Sequence, residues 1–382
     1  MPDHLRIFFV TNNYTPYSGG VVSSIQAFAT EIKNKGHDVF IITLDFLGAT
    51  HNDPDYVFRV PCPLKFLYKN NHMAYPFRPY HHIRKLVHKL KPHIIHSHHP
   101  FLLGNTAVNI AEAYAIPVVF THHSLYERWT HMVPLPAAMT APCIKACVKR
   151  YCGKVSGIIA PSGMVKSSLM QQGVTRPIEV IPSGLQDQFA PAGMYKEKKS
   201  FAHRTCELLS VSRFSPEKNI PFLLDLIAEL SKKNRDYRLT LVGYGPLWND
   251  MQHYAYDKLK LSSDNVRFIH RPVKESLIKL YQDADLFIFS SQSDTQGLVL
   301  AEAMAGGTPI LALDGAGQRD IIEQGKNGFI SYDMDSMIDC IEHIVSNEKK
   351  LHTLSSHAWQ TAKRYKIENV TDHLIEFYNQ FV

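Results

Sequence analysis

The stretch of sequence that decides the fold reads SSQSDTQGLVLAEAMAGGTP and runs from Ser290 to Pro309. It begins where an apolar run predicts a buried strand, Leu286–Ser290. After a polar loop, Gly297–Ala305 has the pattern of a helix, and the Gly-Gly-Thr-Pro that follows stops it. A strand, a polar loop and a helix in this order are the repeating step of a parallel α/β sheet.

The same alternation extends outward over both halves of the chain and predicts two doubly wound parallel sheets. The other predicted strands are Arg6–Thr11, Val39–Leu44, Ile94–His96, Val118–Thr121, Gly157–Ala160, Glu207–Val211, Arg238–Val242, Val266–Ile269 and Pro309–Ala312. The other predicted helices are Val21–Lys35, His81–Leu90, Pro221–Lys232, Trp248–Leu259 and Lys274–Gln282, with helical periodicity again over Met334–Val382.

A chain of 382 residues is too long for a single core, which predicts two domains. The alternation pauses at Pro182–Tyr195, in a segment rich in Pro, Gly, Ser and Asp that reads as a linker. We therefore predict an acceptor-side Rossmann-like domain over 1–186, a nucleotide-sugar-binding one over 187–365, and a helix over 366–382 that packs back on the first. Two such sheets bind a ligand at the carboxyl ends of their strands, which predicts a site in the cleft between the domains.

The composition, with 45% hydrophobic and 20% charged residues, is that of a globular protein without a membrane-spanning run. The amino terminus lacks the pattern of a signal peptide, so a cytoplasmic location is expected. Residues 1–186 hold 18 Lys and Arg against 9 Asp and Glu, a balance of +9, whereas the remainder carries −3. This asymmetry indicates an anionic surface as a partner of the first half, although solvated helix faces explain it almost as well.

Cysteine and histidine do not predict a metal site. The six cysteines include no Cys-x-x-Cys pair and are interpreted as core thiols. Histidine is concentrated in the first half, and five of these residues follow two predicted strands without a regular ligand spacing: His96, His98, His99, His122 and His123. Neither a resident metal nor a nucleic-acid partner is predicted.

The loop and helix of the opening stretch have the features of a site for a phosphorylated sugar. Free N–H groups at a helix N-terminus attract phosphate, and Gly297 permits the tight turn that precedes them. Asp294 lies before that point and Glu302 lies eight residues later. Their carboxylates can accept hydrogen bonds from the hydroxyl groups of a sugar and of a ribose. The alternative is an ordinary strand-loop-helix unit with two surface acids.

This segment resembles the Glu-x7-Glu motif of the retaining family 4 glycosyltransferases. The resemblance implies the GT-B fold, with two facing Rossmann-like doubly wound domains, and it covers nearly the whole chain. It places Asp294, where the family usually has Glu, on the hydroxyls of the donor sugar, and Glu302 on the ribose diol. The string Thr295-Gln296-Gly297-Leu298 is similar to the loop of bacterial diacylglycerol α-glucosyltransferases. Donor contacts are therefore also expected from Gln296, Gly297 and Leu298.

Three further segments resemble the donor side of the family. Arg213 and Lys218 follow a strand at a spacing that can clamp a diphosphate, although in isolation they would be surface charges. Gly243 belongs to a glycine-containing strand end that lines the nucleotide pocket. Arg271 lies where the family's backbone contacts the base.

In the first half, Gly19 and Gly20 precede a helix and resemble the family's glycine loop facing the diphosphate, with a simple turn as the alternative. His123 aligns with the family's functional histidine beside the donor sugar, and His122 is its competitor. His98 is assigned to the acceptor side. Tyr126 and Glu127 lie in a string that is similar to the lipid glucosyltransferases and are expected to border the acceptor.

The resemblance implies transfer of a hexose, with glucose expected, from a nucleotide diphosphate sugar, with UDP expected. The acceptor is a hydroxyl group and the anomeric configuration is retained, as in the family's front-face mechanism. Arg213, Lys218 and the helix N-terminus supply positive charge to the leaving group, so no metal and no permanently bound cofactor is expected. The Asp-x-Asp pairs that begin at Asp53, Asp283 and Asp333 are interpreted as loop and helix-surface acids.

The leading acceptor is a membrane glycerolipid, reached by peripheral docking on an anionic membrane at the inner face of the cell. Two basic, partly apolar helices are predicted at His81–Lys91 and Cys143–Lys154. If these only cover the sheet, a soluble or cell-envelope oligosaccharide acceptor fits better. A phosphorylase of this fold would be longer, and a related epimerase would lack the loop motif. A non-catalytic nucleotide-sugar-binding protein stays open.

Overall fold

The computed structural model describes residues 4–16, 19–49, 53–68, 71–124, 126, 137–186, 188–189, 204–233, 236–292 and 294–382. The chain divides into two compact units. Unit 1 comprises Met1–Gly184 together with Ile367–Val382, and unit 2 comprises Leu185–Lys366. Half of the predicted linker Pro182–Tyr195, namely residues 187 and 190–195, lies outside the described residues.

The main sheet of unit 1 is parallel. Its strands are β1 (Arg6–Val10), β2 (Asp38–Leu44), β3 (Val57–Val60), β6 (Ile94–Ser97), β7 (Val118–Thr121), β8 (Gly157–Ala160) and β9 (Ile178–Val180). Their spatial order is β3-β2-β1-β6-β7-β8-β9. An antiparallel hairpin, β4 (Leu64–Tyr68) and β5 (Asn71–Tyr75), is inserted after β3.

The helices of unit 1 pack on both faces of this sheet. They are α1 (Gly20–Asn34), α2 (Pro79–Leu90), α3 (Leu103–Tyr114), α4 (Ala137–Cys152), α5 (Gly163–Gln171) and the last helix of the chain, α13 (Ile367–Tyr378). Ile367, Val370, Leu374 and Phe377 of α13 join the core that α1 forms with the sheet. The chain therefore returns to its first unit at its end.

Unit 2 repeats the architecture with the strands β10 (Cys206–Arg213), β11 (Tyr237–Tyr244), β12 (Val266–His270), β13 (Leu286–Phe289), β14 (Ile310–Leu313) and β15 (Gly328–Ser331). They are parallel, in the order β12-β11-β10-β13-β14-β15. The helices are α6 (Ile220–Leu230), α7 (Trp248–His253), α8 (Lys274–Asp283), α9 (Leu298–Ala305), α10 (Ala316–Ile321), α11 (Met334–Val345) and α12 (Glu348–Ala362).

In each sheet the chain adds strands first on one side of the unit's first strand and then on its other side. In doubly wound sheets this change of side creates a binding crevice. The change of side lies between β1 and β6 in unit 1 and between β10 and β13 in unit 2. Apolar runs such as Leu286–Phe289 are wholly buried because helices cover both faces of a parallel sheet. The predicted fold class, two Rossmann-like α/β domains, is confirmed.

The structure contains elements that the sequence analysis did not predict, notably the hairpin β4–β5 and helix α3. Helix α3 contains Gly104, Asn105, Thr106 and Asn109, which are weak helix formers, and it is stabilised by burial of one face. The predicted helix Trp248–Leu259 is α7 followed by a π-helical turn, Tyr254–Lys258. Among the described residues, no helix has the length and apolarity that crossing a membrane requires.

Candidate active site

The two predicted donor-side cations lie at the carboxyl end of β10. Arg213 ends the strand and is exposed, and Lys218 lies in the following 3₁₀ turn. The Lys218 Nζ forms an ion pair of 2.6 Å with Asp294 Oδ1, and both side chains are largely buried. The other oxygen, Asp294 Oδ2, is buried and has no hydrogen-bond partner among the described residues. Asp294 therefore has one oxygen held by a cation and one available to accept a hydrogen bond.

Two serines fix the loops that carry this ion pair. Ser290 Oγ donates to the backbone oxygens of Lys218 at 2.7 Å and of Asn219 at 3.0 Å, and Ser291 Oγ donates to that of Glu217 at 3.2 Å. These loops follow β10 and β13, which are neighbours in the sheet. The parallel register thus brings together side chains that are 76 residues apart in sequence.

A third segment, at the start of α10, packs against the loop that carries Asp294, and the sequence analysis missed it. The Gly317 N–H donates to the Asp294 backbone oxygen at 2.9 Å, and the Gln318 side-chain amide donates to that of Ser291. A Cβ on Gly317 would lie 2.8 Å from the Asp294 oxygen, so this position requires glycine. The available signal was the Gly-Ala-Gly that follows β14, since paired glycines after a strand indicate a close backbone approach.

Glu302 lies one turn into α9, whose N-cap Gly297 has the left-handed backbone (φ 67°) that favours glycine. Tyr281, which is buried on α8, donates its hydroxyl to Glu302 Oε2 at 2.8 Å. Burial raises the pKa of Glu302 to about 7, against the opposing effects of that hydrogen bond and of Lys274. Gln296 and Leu298 flank the N-cap and are partly exposed.

The backbone at the end of β11 requires glycine at two positions. Gly243 and Gly245 have φ of 152° and 156°, and a Cβ on Gly243 would lie 1.9 Å from the Ser212 oxygen. Arg271 donates its N–H to the Gly243 oxygen at 3.3 Å and stacks its guanidinium over the Tyr244 ring at 4.1 Å. The structure therefore brings Gly243 and Arg271 together beside the end of β10.

In unit 1 the glycine pair lies at the N-terminus of α1. Gly19 is its N-cap, with extended backbone, and Gly20 is its first residue. A Cβ on Gly20 would meet no atom of the described residues within 4 Å, so these residues leave room at this position. The preceding loop is held by His99, whose Nδ1 accepts from the Asn12 N–H at 3.2 Å.

The predicted histidines form a connected cluster at the carboxyl ends of β6 and β7. His98 Nδ1 and His123 Nε2 are hydrogen-bonded at 2.9 Å. His96 contacts the Tyr378 hydroxyl through Nδ1 at 2.5 Å and Thr121 Oγ1 through Nε2 at 2.6 Å. His122 is buried, whereas His123 is partly exposed.

Burial lowers the pKa of every ring in this cluster. It lowers the pKa of His96 to about 3 and that of His122 to about 4. Burial, reinforced by the neighbouring rings, also holds the pKa of His98 and of His123 well below the usual value. These imidazoles are therefore neutral at physiological pH and act as hydrogen-bonding groups.

Of the two acceptor-side residues in the lipid-transferase-like string, Tyr126 is buried. Its ring packs edge-on against Phe101 and His122, and burial raises its pKa. The prediction that Tyr126 borders the acceptor therefore does not hold for direct contact, because its side chain is enclosed by these rings. Glu127 lies outside the described residues.

Two predictions from the sequence were wrong in part: that the Asp-x-Asp acids all lie on loops or helix surfaces, and that the cysteines are all core thiols. Asp285 directly precedes the central strand β13 and is buried. Arg204 donates hydrogen bonds of 2.7 Å to both carboxylate oxygens of Asp285. Cys143 and Cys147 are exposed on α4, whereas Cys62, Cys152 and Cys206 are buried. Within the described part of the chain, no group of three or more His, Cys, Asp or Glu could hold a metal ion.

Comparison with known proteins places both halves among sugar-transferring enzymes. The family described as Glycosyltransferase Family 4 matches residues 18–189, and the family described as Glycosyl transferases group 1 matches residues 194–361. An alpha-monoglucosyldiacylglycerol synthase of Streptococcus pneumoniae is 29% identical over 98% of this chain and 85% of its own. One of Acholeplasma laidlawii is 28% identical over 95% of this chain and 94% of its own.

Solved structures show the same fold at lower identity. Sucrose-phosphate synthase from Thermosynechococcus elongatus superposes with a TM-score of 0.77 at 17% identity, over 98% of each chain. HepE of Anabaena, in complex with UDP, gives a TM-score of 0.75 at 17% identity, over 98% of this chain and all of its own. The likeness thus extends over both units.

Proposed function

The chain belongs to the family 4 glycosyltransferases and has the GT-B fold, and on that premise we propose that it transfers glucose from UDP-glucose, with retention, to a hydroxyl of a membrane glycerolipid. The observation that carries the donor half is the ion pair of Lys218 and Asp294 at the carboxyl ends of β10 and β13. Arg213 ends β10, and Glu302 lies one turn into α9. The acceptor half is supported by two relatives, each named an alpha-monoglucosyldiacylglycerol synthase.

The donor site is proposed to work by electrostatic stabilisation of the leaving group. As the bond to the sugar breaks, the nucleoside diphosphate gains negative charge. Arg213 and Lys218, with the N–H groups at the start of α9, supply the opposing field without a metal. The free oxygen of Asp294 accepts a hydrogen bond from a sugar hydroxyl, and ionised Glu302 accepts from the ribose diol.

A contact with an anionic membrane is supported by an apolar surface beside a basic one in unit 1. The β4–β5 pairing puts Leu64 opposite Tyr75 and Phe66 opposite Met73 on one face of the hairpin. The other face carries Ala74, which is buried in the core. Leu64 is 54% and Tyr75 44% exposed, and Leu67 on the other face is also 54% exposed, so the hairpin presents apolar side chains at the surface. Exposed apolar clusters of this kind mark interaction surfaces.

Helix α2 follows this hairpin in the chain and supplies the charge. Its Ile83 and Val87 are buried, whereas Arg84, Lys85 and Lys89 are exposed. Each Lys or Arg near an anionic surface contributes about 1 kcal/mol, which is enough for reversible attachment when several act together. A lipid acceptor at such a surface does not have to leave the bilayer.

The donor half is tested with a panel of nucleotide sugars and product identification by mass spectrometry. UDP-glucose should be the best donor, and the product should be an α-glucoside. Arg213→Ala and Glu302→Ala should each lose roughly 2–4 kcal/mol of transition-state stabilisation, a loss of about 30-fold to 900-fold in kcat/KM. Lys349→Ala, on the exposed face of α12, is the control. Near-normal turnover by either site variant would refute the donor assignment.

The acceptor half is tested by sedimentation with vesicles of neutral and anionic lipid. Binding should rise with the anionic fraction, fall with salt, and weaken in Arg84→Glu/Lys85→Glu but not in Lys349→Glu. Dispersed short-chain diacylglycerol should remain an acceptor for every one of these variants. Efficient glycosylation of a soluble oligosaccharide, with no vesicle binding, would overturn the lipid acceptor and leave the donor site standing.

A further inference from the structure

The ring of His98 is enclosed in a stack of three imidazoles in unit 1. It lies 4.2 Å from the His96 ring at an interplanar angle of 29° and 5.2 Å from the His123 ring at 23°, and the edge of Phe9 closes a further side. His98 is 1% exposed. It therefore cannot meet a substrate directly, although it was assigned to the acceptor side, and it acts through the rings that it touches.

The stack is anchored at its far end by the last helix of the chain. Both nitrogens of His96 are occupied, Nδ1 by the Tyr378 hydroxyl of α13 and Nε2 by Thr121 Oγ1. Since two hydrogen bonds fix the plane of a ring, His96 provides a rigid surface for His98. The near end is His123, which is partly exposed.

The hydrogen bond between His98 and His123 constrains where each proton sits. A neutral imidazole has one N–H, so the 2.9 Å contact of His98 Nδ1 with His123 Nε2 needs one donor and one acceptor. The remaining nitrogen of His98, Nε2, is buried and has no partner among the described residues. A buried N–H without a partner is rarer than a buried acceptor without one. The proton of His98 therefore belongs on Nδ1.

We propose that His98 is a positioning residue that donates from Nδ1 to His123 Nε2 and so holds His123 as the Nδ1–H tautomer. His123 then presents a hydrogen-bond donor to an oxygen of the donor sugar. This inference rests on the proposed function and on the expectation, from the family resemblance, that His123 lies beside the donor sugar. His98 acts like the outer-shell partner that fixes the orientation and the tautomer of a ligating histidine.

The direct test is the tautomer of His123, measured by ¹⁵N–¹H multiple-bond NMR on protein labelled at histidine nitrogen, with assignment by loss of signals in His123→Gln. We expect a protonated Nδ1 and a bare Nε2. In His98→Leu the signals of His123 should change, because its Nε2 has lost its donor. A wild-type His123 protonated on Nε2 would overturn the proposal.

Kinetics separate a positioning role from a structural one. His98→Leu should lower kcat by about 10-fold to 100-fold and change the KM for the nucleotide sugar by less than about twofold. His98→Asn should recover most of kcat, because its amide N–H can take the place of Nδ1–H. The control is His93→Leu, a substitution at the opposite end of β6 that also removes imidazole hydrogen bonds, and it should leave kcat unchanged.

The outcomes distinguish this inference from the proposed function. Wild-type turnover by His123→Ala would remove the role of His123 itself. An inactive His123→Ala together with wild-type kcat in His98→Leu, or no recovery in His98→Asn, overturns the positioning role alone. If His98→Leu does not fold, the wild-type tautomer and the kcat of His98→Asn decide.

Discussion

Glu302 should weaken the fold in the ionised state that the proposed function requires. Burial raises its pKa from 4.5 to about 7. Because the folded pKa lies above the unfolded one, the stabilising contribution is fully present below pH 4.5. It is lost as the pH rises to about 7 and beyond. The full shift corresponds to about 3 kcal/mol, and since Glu302 keeps partial exposure we expect about 1–3 kcal/mol.

The perturbation is Glu302→Gln, which keeps the shape and can still accept from Tyr281 but cannot ionise. At pH 4.5 the free energy of unfolding should match that of the wild type. At pH 8 the variant should be more stable by about 1–3 kcal/mol. Its transferase activity should nevertheless fall, because the ribose diol loses a charged acceptor. A residue that costs stability and is needed for binding is the expected trade-off at a functional site.

The assay is urea unfolding followed by tryptophan fluorescence in a Trp129→Phe background. The remaining tryptophans, Trp248 and Trp359, both belong to unit 2, so the signal follows the unit that contains Glu302. Glu275→Gln, at an exposed acid of α8, is the matched control and should show no pH-dependent gain. An identical difference between Glu302→Gln and the wild type at pH 4.5 and pH 8 would refute the argument.

Three further outcomes are expected. Transfer should survive EDTA, because Arg213 and Lys218 supply the positive field; complete loss that magnesium or manganese restores would contradict this. Gly243→Ala should lower the free energy of unfolding of unit 2 by more than about 3 kcal/mol and lower its melting temperature, because a strained φ and a steric clash act together. Gly20→Ala should leave the melting temperature of unit 1 nearly unchanged. Tyr378→Phe should lower kcat less than His98→Leu does, because it releases only the far end of the stack; an equal or larger loss would mean that α13 acts by another route.

The sequence by itself determined the architecture, and it identified the candidate residues of the proposed donor site. Apolar runs and helical periodicity depend on neighbours along the chain, so the central strands and α9 could be predicted within a residue or two. Glycine at 243 and 297 was informative for the same reason, since backbone conformation is a local property. Helix α3 and the hairpin β4–β5 could not be predicted, because burial rather than local propensity stabilises them.

Only the tertiary structure decided which side chains meet. Lys218 pairs with Asp294 across 76 residues, and His96 meets Tyr378 across 282. Such pairs depend on strand order and on the return of α13 to unit 1, and no local pattern encodes either. The raised pKa of Glu302 and the enclosure of the His98 ring likewise follow from burial, which the packed structure alone defines. The local sequence thus identified the candidate side chains, and long-range packing determined their partners and their protonation states.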